Sequence, residues 1–336
     1  MPTSSVSSSR RRLLWIGASL GLLTIMLLAL KSGAVPIRWS ELFAAMGFGS
    51  DLDAFKRSVF LELRLPRVLF AAVAGGALAL SGAVMQALFR NPLAEPGLVG
   101  ISAGASLGVV LSLLLGFGSA WFSGIAGFAG ALLATLAAYG LGRRYPGVAG
   151  LLLAGIAINA TMMSLVSLVT TFISESQFRS FGFWSLGSLA RASWEHVGWL
   201  IPWALFCSLL LCKQWRVLNA LLLGEREAHH LGFDVARARR SLILLIALLV
   251  GPIVAATGGI AFIGLVIPHI LRRWIGADHR ALLPLSWIAG AIALVLADWI
   301  ARGVVMPAEL PVGVITSLVG GPFFIALLLR NAKPVA

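Results

Sequence analysis

Charge is scarce in this chain, and negative charge is scarcer still: 13 Asp and Glu stand against 26 Lys and Arg, and charged residues make up 12% of 336 positions. Soluble domains carry about a quarter of their residues as charges, so most of this chain cannot face water. Cysteine is almost absent. Cys207 and Cys212 share one apolar run without CxxC spacing or a partner histidine, which excludes a disulfide framework and a thiolate metal site and leaves packing. No Gly-Lys dipeptide occurs anywhere, so the phosphate-cradling loop that ends in Gly-Lys-Ser/Thr is excluded. Long polar segments are missing too, and no gap is large enough to fold a soluble catalytic domain. The apolar runs hold no paired carboxylates, no nucleophile–base pair and no metal triad of the kind an intramembrane enzyme needs.

What the chain has in abundance is apolar length, with 59% hydrophobic residues. A helix needs about 20 apolar residues to cross roughly 30 Å of hydrocarbon. On that measure about ten spans fit, near 13–33, 59–81, 93–115, 119–141, 147–172, 195–212, 241–257, 260–275, 282–303 and 312–330. The fold class is therefore all-α integral membrane protein, in one domain over 13–330 with cytoplasmic tails at 1–12 and 331–336. The first apolar run is longer than the core of a signal peptide and lacks a small-x-small cleavage site, so it reads as a retained helix. A net charge of +13 could suggest nucleic acid, but the basic residues lie in the gaps between spans and not along one face. They follow the positive-inside rule. Arg10 to Arg12, Arg90, Arg143 and Arg144, 213–240 and 272–280 then fall in the cytoplasm, and 34–58, 173–194, the turn near Thr257 and 304–311 fall outside.

Small residues recur where helices must approach closely. Gly100, Gly104 and Gly108 repeat at i+4, and Gly75, Gly76, Ala79 and Gly82 crowd one neighbourhood; such spacing lets backbones pack without a hydrophobic drive. Span 260–275 is short and contains Pro268, while 93–115 starts among Pro92 and Pro96. Interrupted spans are tolerated inside a bundle or beside a wet cavity, which favours a transporter over an anchor. Asn159 fits either a pathway wall or a helix-to-helix hydrogen bond. His269 reads as a structural residue rather than a haem ligand, and Gln86 and Asn91 as polar groups facing the bundle interior. Arg64 and Arg67 are three apart at the outer mouth of the second span, and Arg302, at the outer end of the ninth, has Asp298 at i−4 as a partner within its helix. Residues 213–240 form the longest polar connection of the second half and hold Gly224, Glu225, Glu227, Ala228, His229, His230, Leu231 and Gly232. The histidine spacing there does not suit a metal site. A pair of short cytoplasmic helices, a natural docking surface, suits it better.

Three stretches are more specific than composition. They are Arg64-Leu65-Pro66-Arg67 through Gly75–Gln86 to Arg90-Asn91-Pro92-Leu93-Ala94-Glu95-Pro96; Phe262–His269 through Arg272 to Asp278-His279-Arg280; and Ala297–Arg302 with Glu309–Gly313 and Gly320-Gly321-Pro322-Phe323-Phe324. Together, over about 60–330, they closely resemble the FecCD-type permeases, the type II ABC importer subunits for haem, ferric siderophores and cobalamin. The resemblance implies a ten-helix type II permease fold in the bacterial inner membrane, pairing with a second copy of itself around a twofold pathway. It also implies two cytoplasmic ATP-binding subunits and a periplasmic substrate-binding protein, with no permanently bound cofactor and ATP acting through the partner. Residues Gly224, Glu225, Glu227, Ala228, Leu231 and Gly232 match the family's ATPase-coupling helices. Arg64, Arg67 and Arg302 match positions that meet acidic residues of the binding protein. The family's cytoplasmic gate lies where Arg143 and Arg144 stand, and Asn159 is a further pathway candidate. The aromatic segment Phe181–Ser188 would suit a flat macrocycle, which ranks haem ahead of a ferric siderophore and cobalamin. The different-class alternative, an ion-coupled secondary transporter, needs an ionisable group near mid-membrane; Asp298, the one carboxylate well inside the late spans, lies towards an end.

Overall fold

A computed structural model describes residues 8–45, 47, 53–145, 147–306 and 308–331. The described residues are helices joined by short turns. In chain order they are α1 (Ser8–Lys31), α2 (Trp39–Ala45), α3 (Ala54–Ser58), α4 (Leu65–Leu88), α5 (Ile101–Leu114), α6 (Ala120–Gly142), α7 (Gly147–Thr170), α8 (Glu175–Ser185), α9 (Trp194–Lys213), α10 (Trp215–Leu223), α11 (Glu225–His230), α12 (Val235–Thr257), α13 (Ile263–Ile275), α14 (His279–Gly303) and α15 (Val312–Asn331). A π-helical segment, Val59–Arg64, fuses α3 to α4, and a single 3-10 turn, Pro96–Val99, precedes α5. Most of the expected tails, 1–12 and 331–336, lies outside the described residues; from Ser8 onward the chain is helical.

Among the described residues seven helices are long and apolar enough to cross a membrane, and α5 and α15 are shorter apolar helices. With the 13-residue α13 these account for the ten expected spans. The second and third spans differ from expectation in ways that shape the site, and α12 begins six residues earlier than expected, at Val235. The third does not run from 93: Pro92 and Pro96 supply no backbone donor, and Gly100 takes a left-handed φ of +90° that a side chain would resist. The helix therefore begins only at Ile101. The second span is longer than expected, because α3 and the π-helical segment extend it into one rod, Ala54–Leu88.

The core forms around α4. In its most apolar window 94% of residues are buried, with α14 against one side and α13, α9 and α12 around it. Small residues set that approach. A Cβ on Gly75 would strike the Gly290 carbonyl, one on Gly82 the Gly264 carbonyl, and one on Gly76 would lie 2.6 Å from the Trp287 ring. The α5–α6 pair repeats the device, with Gly104 against Gly130 and Gly108 against Ala126. Here close van der Waals contact replaces the hydrophobic drive that lipid cannot supply. The α6, α9 and α13 C-termini carry Arg143 and Arg144, Lys213, and Arg272 and Arg273. The positive-inside rule places these ends, with α10 and α11, on the cytoplasmic face. The opposite face carries α2 and α8.

Candidate functional site

Three places on this scaffold gather polar chemistry: the outer ends of α4 and α14, a central cavity, and the α10–α11 pair.

At the outer face, α1 ends at Lys31 with carbonyls that no later turn of the helix can satisfy. Two guanidiniums supply the donors. Arg64 donates to Leu30 O and Lys31 O, each at 3.0 Å, and to Val35 O. Arg302 donates to Ala29 O at 3.1 Å and Ser32 O at 3.3 Å. Cations at a helix C-terminus also meet the negative end of its dipole. Arg67 turns the other way, towards α14, with Nη2 2.8 Å from Asp298 Oδ1 and Nη1 2.7 Å from Glu309 Oε2. The expected pairing of Asp298 with Arg302 within α14 is present too, Nε to Oδ2 at 3.1 Å. Asp298 is 1% exposed and thus sits between two cations. Spacing alone put Arg64 and Arg67 on one face; the structure sends them to different acceptors, because each reaches the nearest unsatisfied ones. Arg64 is 6% and Arg302 7% exposed, and the surface end of the network is Glu309. Glu41 of α2 accepts from the Arg38 backbone N–H and from Lys56 Nζ, which hold its carboxyl below the usual range.

The central cavity, about 660 Å³, lies among the Glu95–Gly97 turn, the end of α8, the α12–α13 connection and α15. Its polar side chains are Glu95, Ser102, Ser185 and Ser317; the rest is apolar side chain or glycine. Phe262, in the wall, holds a φ of +67°. Asn159 does not line this space. Its Nδ2 donates to Gly97 O at 2.9 Å and so holds the broken backbone that does. Arg143 and Arg144 are exposed in the α6–α7 turn and do not line the cavity. Two of the three rings in the aromatic segment are engaged in packing, with Phe181 stacked on Trp184 at 5.7 Å and Trp184 Nε1 donating to Ala255 O at 3.1 Å, while Phe183 is 63% exposed. Trp184 thus ties α8 to α12, Phe181 packs with Val109 and Val110 of α5 and Val166 of α7, and Ser185 and Leu186 line the cavity.

At the cytoplasmic face, α10 and α11 meet at Gly224, whose φ of +134° few side chains could adopt. The pair is anchored at three points. Ala228 is fully buried, Glu225 accepts from Arg239 of α12, and Asn219 holds Asp278 Oδ1 at 2.9 Å and the His279 backbone N–H at 2.8 Å. Glu227 folds back towards Gly224. Gly232 closes the turn with a φ of +87°. All six residues singled out here lie on this one unit, but Ala228 faces inward. The outward apolar groups are Leu231, 60% exposed, and Leu223, which spacing did not reveal.

The profile of the FecCD transport family matches residues 21–330. The chain belongs to the FecCD transport family. It is therefore a multi-pass membrane protein of an ABC-transporter permease family, a family distinct from the ATPase subunits. The chain is 46% identical over 321 residues to the hemin transport system permease protein HmuU of Yersinia pestis, covering 94% of this chain and 96% of that one. It is 41% identical over 336 residues to the vitamin B12 import system permease protein BtuC of Salmonella typhi, covering 99% of this chain and all of that one (100%). A solved inward-facing structure assigned to the metal-chelate type of ABC transporter superposes with a TM-score of 0.85 at 33% identity, covering 95% of this chain and 99% of that one.

Proposed function

We propose that this chain is the membrane permease of a bacterial inner-membrane importer for hemin, working as a homodimer with two cytoplasmic ATP-binding subunits and a periplasmic binding protein. The carrying observation is the 46% identity to a hemin permease along nearly the whole of both chains. In this reading the cargo passes from the binding protein into the space between two copies, each contributing its central cavity. Walls that are mostly apolar or glycine give a large chelate few fixed contacts, so selection rests chiefly with the binding protein. The α10–α11 unit, through Leu231 and Leu223, docks on the ATPase, which this chain needs because it has no Gly-Lys phosphate loop. Arg67 and its partner Glu309 serve as the docking rim for the binding protein, with Arg64 and Arg302 stiffening that rim from beneath through α1. Charge at such a rim steers encounter and register more than it adds affinity.

A cobalamin importer is the second reading, favoured by the 41% identity to a vitamin B12 permease over the full chain. A ferric-siderophore cargo ranks beside it. Uptake into vesicles holding this chain with its ATPase, supplied with loaded binding protein, separates the readings. ATP-dependent accumulation of labelled hemin, without cobalamin or ferric siderophore, is the expected result. Accumulation of cobalamin instead moves the cargo and keeps the machine, and uptake without ATP that follows an ion gradient overturns the importer itself.

A further inference from the structure

A second cavity, about 410 Å³, opens at another face of α12, where α6 and α9 each pack along that helix and leave a crevice between them. Pro252 and Ala256 of α12 form its floor, Ile125 and Phe128 one wall, and Trp199 and Trp203 the other. Its depth is fixed by charge elsewhere on the same helices. Arg143 follows α6 and Lys213 ends α9, so those ends are cytoplasmic and the crevice mouth, at Trp121 and Glu195, lies at the outer interface. Interfacial depth suits amphipathic indoles. The Glu195 carboxylate, in the first turn of α9 where the helix dipole favours it, adds an anion to that aromatic mouth.

Glu195 is exposed and forms no ion pair among the described residues. Trp121 Nε1 donates to its Oε1, and no described residue donates to Oε2. The Trp121 and Trp199 rings stack across the mouth, with centroids 5.7 Å apart and planes at 27°. A carboxylate oxygen beside indole faces is the chemistry that recognises an ammonium group. Below it the walls offer only apolar surface, because the polar atom of Trp203 is already bonded to Leu248 O at 2.8 Å. At the rim His196 Nδ1 pairs with Ser193 Oγ at 2.9 Å; with that hydroxyl as donor, Nε2–H remains to donate to an acceptor.

We propose that this crevice binds a phospholipid with an ammonium headgroup from the outer leaflet: the ammonium on Glu195 and the indole pair, the phosphate beside His196, and an acyl chain along Phe128 and Trp203. Among the described residues no Lys or Arg lines the crevice, and an anionic headgroup is repelled by Glu195.

The full chain, purified in detergent and delipidated, is titrated with phosphatidylethanolamine or phosphatidylglycerol and read by native mass spectrometry. Phosphatidylethanolamine is expected to be retained about tenfold better, the factor that one charge-assisted hydrogen bond supplies. Glu195→Gln keeps an acceptor for Trp121 and is expected to fold, while losing that preference. Trp199→Leu keeps the apolar bulk and is expected to weaken phosphatidylethanolamine retention alone, which serves if the first variant elutes as aggregate. Equal retention of the two lipids by the wild type overturns the proposal, as does an unchanged preference in both variants.

Discussion

Arg67 on α4 and Asp298 on α14, 231 residues apart in sequence, are joined by three hydrogen bonds, two onto Oδ1 at 2.8 and 3.0 Å and one onto Oδ2 at 3.2 Å. Removing that carboxylate takes the buried anion from Arg67 and Arg302 at once, leaving Arg67 only Glu309 and Arg302 only the α1 carbonyls. Asp298→Ala is expected to destabilise the protein by about 3–5 kcal/mol, as breaking a buried ion pair does. Glu309→Gln, at the exposed end of the same network, is expected to cost under about 1 kcal/mol. Thermal unfolding followed by tryptophan fluorescence in detergent compares the two; equal shifts would show that burial adds nothing to the pair.

The α4 seam predicts a sharp contrast between glycines. Gly82→Ala puts a methyl group into the Gly264 carbonyl, whereas a Cβ on Gly198 meets nothing within 4 Å. Overpacking costs about 1–3 kcal/mol and more where backbone must move. Gly82→Ala is expected to lower the yield of monodisperse protein and the melting temperature, and Gly198→Ala to leave both unchanged.

For the cytoplasmic unit, a surface change should separate coupling from folding. Leu231→Asp replaces an exposed side chain, so the melting temperature should move by no more than about 0.5 kcal/mol of stability implies. Copurification of the ATPase subunit and ATP-dependent uptake are expected to fall together. Gly224→Ala, which strains the backbone and crowds Glu227, is expected to lower both stability and uptake. Full ATPase retention by Leu231→Asp would place the contact elsewhere.

Asn159→Leu removes the bond to Gly97 O in a half-buried setting. A loss of about 1 kcal/mol is expected, typical of one hydrogen bond, with faster hydrogen exchange in the 95–100 turn. A fall in uptake without change in melting or exchange would mean that the side chain meets the cargo directly.

Much of this was legible in advance because bilayer physics writes it into composition. Apolar length gave the spans, basic residues gave the orientation, and Pro92 and Pro96 marked the broken third span without showing that it starts only at Ile101. Local spacing found the Asp298–Arg302 pair. It could not find Arg67–Asp298 or Asn159–Gly97, since those partners meet only after α4 packs on α14 and α7 on the turn before α5. The placement of the aromatic segment was illegible for a related reason: only the fold reveals that Trp184 bonds to α12 and that Phe181 packs against α5 and α7. Glu95 sat in plain view within the Asn91–Pro96 motif, yet nothing local says that it faces the cavity.

Helix α4 ends up touching almost no lipid, yet it must enter the bilayer during synthesis, before α9, α12, α13 and α14 have emerged to enclose it. For that interval it has to satisfy the lipid by itself, and a mean hydropathy of 2.1 in its most apolar window lets it do so. Polar glue would pack the finished centre equally well but would hinder delivery. Glycine and alanine meet both demands, being apolar enough to insert alone and small enough to be engulfed afterwards. The composition of the central helix is thus constrained by the order of assembly as well as by the assembled state.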